Sequence, residues 1–253
     1  MLNTNLLWLI WQNNETRQRY HVGNLLYNEK KRTYLFWYDQ SGKHRGLADA
    51  LKDGYNPHLS FPNLDKCYLS HTLFSPFQRR LPDAGRPDFL SLLKKFGLTK
   101  DYTEMDMLYV TGGRLATDSY EFVQPIIVQN NLMTINFYIA GIRHYNAQDE
   151  PMNLTFGKSL RLIREPSNNY DPFAVRIETE DNHLIGYVPA FYSEFVSKLL
   201  QYKVNNKLKL LEIDEHAIPQ LRIRASLIAE FVDKKVSPLA KIEPTLNLSP
   251  LLV

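Results

Sequence analysis

Residues 158–188 read KSLRLIREPSNNYDPFAVRIETEDNHLIGYV, and this stretch decides how the second half of the chain folds. Lys158–Arg164, Phe173–Thr179 and Leu184–Val188 are short runs rich in Leu, Ile and Val, bounded by Pro, Asn, Asp and Gly. Such runs read as strands joined by turns. Working upstream, Thr134–Arg143 has period two: Ile135, Phe137 and Ile139 alternate with Thr134, Asn136 and Tyr138. Working downstream, Phe191–Tyr202 places Phe195, Val196, Leu199 and Leu200 on one helical face. Lys207–Ile213 and Leu221–Leu227 are strand-like again. Six strands and one helix in so short a segment predict a small six-stranded β-barrel with one helix.

Before residue 134 the texture differs. Asn5–Trp11, Arg19–Tyr27 and Arg32–Tyr38 are aromatic and aliphatic strands, the last two separated by Asn28-Glu29-Lys30-Lys31. Pro57, Pro62, Pro76, Pro82 and Pro87 punctuate residues 55–88, which predicts a loop-rich, packed region. Pro87 opens a helix over Asp88–Phe96, with Leu90, Leu93 and Phe96 on one face and Gly97 closing it. Thr111-Gly112-Gly113-Arg114 lacks the Lys-Ser/Thr end of a phosphate loop and reads as a helix-ending turn. The expected organisation is α+β: a mixed strand/helix domain over 1–130, the barrel over 134–232, and an extended arm over 233–253.

With 253 residues, 44% hydrophobic, 15 Tyr, 13 Phe and 3 Trp, the chain is not a disordered polymer. Its one cysteine, Cys67, excludes a disulfide framework and a Cys-rich zinc site. The best apolar run, Leu6–Trp11, is too short for a membrane span, and no leader pattern opens the sequence, so a cytoplasmic protein is expected. The net charge of +3 excludes a strongly basic nucleic-acid coater. Its distribution is uneven: residues 1–133 carry 16 basic and 13 acidic side chains, and residues 134–233 carry 11 and 13.

Three strings in the second half carry a resemblance. They are Gly141-Ile142-Arg143-His144-Tyr145, then Arg164-Glu165-Pro166-Ser167-Asn168-Asn169-Tyr170-Asp171-Pro172-Phe173-Ala174-Val175, then Ile185-Gly186-Tyr187-Val188-Pro189. Together with the element order they resemble the HIRAN domain over residues 134–230, a small β-barrel module. The resemblance implies recognition of DNA, as a single strand or a 3′-hydroxyl end. It assigns DNA contacts to Arg143 and His144 on the first strand, to Asn168, Tyr170 and Asp171 in the turn, and to Tyr187.

The residue types suit that chemistry. A splayed terminal base stacks on a flat partner, which His144, Tyr170 or Tyr187 supplies. A terminal hydroxyl donates to a carboxylate such as Asp171, and Arg143 offers a fork to a phosphate. Asn168 and Asp171 read equally well as turn residues that hydrogen-bond their own backbone. The sequence departs from the helicase-type members at His144, where they have Tyr, and at Pro189 and Ala190, where they have basic residues. With an acidic segment besides, DNA binding is expected to be weak. Arg222 and Arg224, alternating outward on the last strand, are the available compensation.

A second, looser resemblance covers residues 5–125. Val22-Gly23-Asn24-Leu25, Tyr34-Leu35-Phe36-Trp37-Tyr38, Leu73-Phe74-Ser75-Pro76-Phe77 with Arg80-Leu81-Pro82-Asp83, and Thr111-Gly112-Gly113-Arg114 resemble the N-terminal subdomain of HipA-type kinases of toxin–antitoxin systems. The kinase's catalytic motifs are absent from the sequence. The resemblance implies a partner, a separately encoded HipA-like kinase, and an alternative function as an antitoxin-like protein–protein regulator.

No enzyme emerges. Cys67 and His71 lack a third orienting group. Glu178, Glu180 and Asp181 cluster without the Lys that a metal-dependent nuclease core requires. The seven His are scattered singly. The expectation is a non-enzymatic binding protein without metal or cofactor.

Overall fold

The computed structural model describes residues 5–142 and 157–231, and the chain divides into two compact units after Pro125. Arg143, His144 and the expected arm over 233–253 lie outside the described residues.

The first unit is built on an antiparallel five-stranded sheet. Its strands are β1 (Leu6–Gln12), β2 (Arg19–Asn28), β3 (Thr33–Tyr38), β4 (Tyr68–Ser70) and β5 (Tyr120–Val123), in the order β4-β3-β2-β1-β5. Four helices accompany it: α1 (Leu47–Lys52), α2 (Ser75–Gln78), α3 (Phe89–Lys95) and α4 (Glu104–Thr111). Phe36 lies at the centre of the core, its ring 4.4 Å from Phe61 and 5.4 Å from Phe77, with Phe122 a further 5.1 Å beyond Phe77. The Pro-rich stretch therefore is packed, because it delivers Tyr55, Phe61, Leu73 and Phe77 to that core. Tyr38 holds the loop by its polar tip: its hydroxyl accepts the His58 N–H (3.0 Å) and donates to the Phe61 carbonyl (2.8 Å).

α4 opens on a capping box between Thr103 and Asp106. It closes at Gly112, whose φ of 69° is the left-handed conformation that glycine adopts without penalty. The double-glycine string is thus a helix-ending turn. The Gly112 carbonyl accepts the Phe122 N–H at 2.7 Å, so the turn also positions β5.

The second unit contains β6 (Val128–Gln129), β7 (Leu132–Tyr138), β8 (Ser159–Arg164), β9 (Val175–Glu178), β10 (Leu184–Tyr187), α5 (Ala190–Gln201), β11 (Asn205–Ile213) and β12 (Ile223–Glu230). The strands form one curled, seven-stranded antiparallel sheet in the order β10-β9-β8-β11-β12-β7-β6. The six expected strands are all present, and β6 is a seventh. The margins touch at a single bridge beyond the end of β7, where Ala140 and Tyr187 exchange backbone hydrogen bonds of 2.9 and 2.8 Å. Gly186 is required beside this bridge: a Cβ there would lie 2.4 Å from the Ala140 carbonyl oxygen and 2.7 Å from Ile139 Cγ2.

α5 buries Phe191, Tyr192, Phe195, Val196 and Leu199, with the Tyr192 ring tilted against Phe137 of β7, centroids 6.0 Å apart. Arg164 at the end of β8 donates from Nε to Ser197 Oγ (3.0 Å) and ties the sheet to the helix. β12 is an interior strand, between β11 and β7, where the sequence suggested an edge. Arg224 accordingly pairs across the ladder with Tyr138, its guanidinium 5.8 Å from the ring, and Arg222 ends a short helical turn at Pro219–Leu221. Among the described residues, no helix is long and apolar enough to cross a membrane.

Candidate functional site

The connection between β8 and β9 is held by its own side chains. Asn168 Oδ1 accepts the backbone N–H groups of Tyr170 (2.9 Å) and Asp171 (3.2 Å), which curls residues 168–171 into a tight turn. Asp171 is buried; its Oδ1 accepts the Phe173 N–H (2.8 Å) and its Oδ2 the hydroxyl of Ser193 on α5 (2.7 Å). The carboxylate thereby pins the turn to the first turns of the helix. A charged acceptor with two donors is the form in which a carboxylate tolerates burial.

The same turn presents chemistry outward. Tyr170 is 78% exposed, a large ring standing in solvent at the tip of an otherwise well-bonded loop. Glu165, directly after β8, gathers the polar groups around it. Its Oε2 accepts Asn168 Nδ2 (2.6 Å) and the Tyr187 hydroxyl (3.0 Å), and its Oε1 lies 3.7 Å from Arg176 Nη1. Arg176 also pairs with Glu178 (3.2 Å), which Arg161 approaches at 3.9 Å. Tyr187 and Arg176 are directly opposed in the β9–β10 ladder, so the register itself brings them together.

Of the residues singled out from the sequence, Asn168, Tyr170, Asp171 and Tyr187 fall in one neighbourhood, linked by hydrogen bonds through the turn and Glu165. Arg143 and His144 lie outside the described residues, which end at Ile142, two positions past the bridge to Tyr187. Sequence reasoning passed over Glu165 and Arg176. Arg176 is the outward position between buried Val175 and Ile177, a signal the sequence carries, whereas Glu165 gains its role only from the partners the fold brings to it.

Several charged groups of the first unit are taken up by structure. Glu121, buried in β5, is shared by Arg19 and Arg114, and Arg80 grips Asp118 with a buried guanidinium. His21 is buried against Trp8, ring centroids 4.3 Å apart, and its Nε2 meets the Gly23 carbonyl at 2.9 Å. Desolvation, reinforced by Lys43, pushes its pKa down to about 3, so the imidazole is neutral. Cys67 lines a cleft of about 470 Å³ with Ser60, Lys66 and Phe74, and burial raises its thiol pKa, which disfavours the reactive thiolate. Among the described residues, no group of three or more His, Cys, Asp or Glu is placed to hold a metal ion.

A family model of the HIRAN domain matches residues 132–231. Two solved structures are similar in part. One is the HIRAN domain of human HLTF, at 14% identity over 43% of this chain and 86% of that one, with a TM-score of 0.35. The other is a protein from Lactobacillus plantarum, at 16% identity over 40% of this chain and 99% of that one, with a TM-score of 0.33. No curated protein matches. The curled sheet, from Val128 to Glu230, contains the Asn168–Asp171 turn and nearly coincides with the family match: residues 132–231 of this chain are a HIRAN domain.

Proposed function

We propose that this protein is a non-enzymatic DNA-binding protein that takes a single strand, by its 3′-hydroxyl end, at the β8–β9 turn. The observation that carries the reading is Tyr170, exposed at the tip of a HIRAN turn held by the side chains of Asn168 and Asp171. A ring with most of its surface in water is a platform for an unstacked base. The carboxylates of Asp171 and Glu165 beside it repel a terminal phosphate but not a neutral terminal hydroxyl. Fluorescence anisotropy with matched oligonucleotides ending in 3′-hydroxyl or 3′-phosphate tests this. Tighter binding of the hydroxyl form is expected; equal affinities defeat the end-recognition reading.

One feature favours a second reading, a protein partner. In the first unit, Leu59 (95% exposed) and Leu69 (59% exposed) stand close to the Cys67 cleft, and Leu69 lies on the terminal strand β4. Exposed leucines beside a short sheet edge suit a protein surface. The resemblance of this half to HipA-type kinases would make the partner a separately encoded kinase of that type, and the chain an antitoxin-like regulator. A protein that binds neither oligonucleotide is the outcome that favours this reading.

A further inference from the structure

Three site groups converge on one carboxylate: the Asn168 amide, the Tyr187 phenol and the Arg176 guanidinium all meet Glu165. They come from separate pieces of chain, the β8–β9 turn, β10 and β9. We infer that Glu165 is the positioning residue of the site, fixing both where these groups stand and which of them donate or accept toward a bound strand end. This rests on the DNA-end reading above and deepens it.

The argument is one of proton accounting. A phenol has one proton, and Tyr187 directs it to Glu165, so its oxygen faces a further partner as an acceptor. The Asn168 carbonyl oxygen is committed to two backbone N–H groups and one amide proton to Glu165, so its side chain faces a further partner as a donor. Arg176 is held between Glu165 and Glu178, which offsets its charge locally. Toward a strand end, Tyr187 thus acts as an acceptor and Asn168 as a donor, beside the Glu165 carboxylate that fixes both. A hydroxyl can satisfy that acceptor; a phosphate, which offers only acceptors near neutral pH, cannot.

Glu165→Gln keeps the shape and removes the charge. Its amide can still accept one proton but turns donors toward groups that themselves donate. A purely structural residue would lower affinity for every oligonucleotide alike. A positioning residue changes the discrimination instead: in Glu165→Gln the 3′-hydroxyl over 3′-phosphate preference should shrink by roughly tenfold. Tyr187→Phe, combined with it, should cost far less than the product of the two single losses, a departure of about fivefold or more. Unchanged discrimination with multiplicative losses overturns the proposal.

An arm independent of DNA keeps it testable if the wild type binds neither oligonucleotide, a result that defeats the function reading by itself. In NMR spectra of the full chain, the Asn168 side-chain amide and the Tyr187 ring resonances should move together in Glu165→Gln. If both stay in place while the backbone spectrum confirms the fold, Glu165 does not hold them, and the inference fails.

Discussion

At the scale of single residues, the turn after β8 separates two kinds of side chain that sequence reading places under one heading. Asn168 and Asp171 have their acceptors filled by nearby donors, so each is required by the fold whatever it does for a ligand. Tyr170 is the opposite case, a ring with most of its surface in water. Substitution should therefore split the two. Asn168→Ala deprives two backbone N–H groups of their acceptor and should lower unfolding free energy by about 1–3 kcal/mol, read by urea denaturation. Tyr170→Ala should leave the denaturation midpoint in place yet weaken single-strand binding by the value of one stacking platform, about 1–3 kcal/mol, read by anisotropy. If Tyr170→Ala destabilised the protein as much as Asn168→Ala, the ring would be a packing residue. The hydrogen bonds show the turn role of Asn168 and Asp171, and the two variants measure what each side chain adds toward a ligand.

At the scale of elements, what could be read depended on whether burial was one-sided. β7 alternates, with Met133, Ile135 and Phe137 buried between more exposed Leu132, Thr134, Asn136 and Tyr138, because the sheet there faces a core on one side, and the amphipathic α5 follows the same logic. α4 gave no such signal: Met105, Asp106, Met107, Leu108 and Val110 are all buried, so the helix has no polar stripe to betray its period. β4, β5 and β6 were invisible because strands of two to four residues exist through their pairing partners rather than through any pattern of their own. Glu165 escaped for a related reason, since a carboxylate becomes a node only when the fold brings β9 and β10 to it. The Gly-Tyr-Val string, by contrast, was legible as a motif though its cause was not. That cause is the bridge: Gly186→Ala would force a Cβ onto the Ala140 carbonyl, and the strain should cost about 1–3 kcal/mol. Hydrogen exchange at the Ala140 and Tyr187 amides should accelerate in this variant more than at the β11–β12 ladder. Equal protection across the sheet would show that the bridge is not what relieves on substitution.

At the scale of the whole molecule, the net charge of +3 is less available than it looks. The basic excess belongs to the first 133 residues, but there Arg19 and Arg114 share Glu121, Arg80 is bound to Asp118 and Arg86 to Asp88. The exposed Lys30-Lys31-Arg32 tip between β2 and β3 is a run of three cations on a solvated hairpin. In the second unit Arg161 and Arg176 are engaged with Glu178 and Glu165, and Arg164 with Ser197. Around the β8–β9 turn the neighbouring Arg161 and Arg176 are thus already paired with carboxylates rather than left to exchange for a DNA counterion atmosphere. Binding at the β8–β9 turn should then depend weakly on salt. For single strands each phosphate contact contributes about −0.7 to the slope of log K against log salt, so one or two contacts give a slope no steeper than about −1.5. The affinity should also stop rising once an oligonucleotide covers the turn, beyond about four nucleotides. Titrations of the full chain at several salt concentrations, with strands of increasing length, measure both quantities. A slope of about −3 or steeper, with affinity still climbing with length, would mean that the strand continues onto basic groups outside the turn. Charge reversal at Lys30 and Lys31 would then lower the slope if that track crosses the β2–β3 hairpin, and leave it unchanged if it does not.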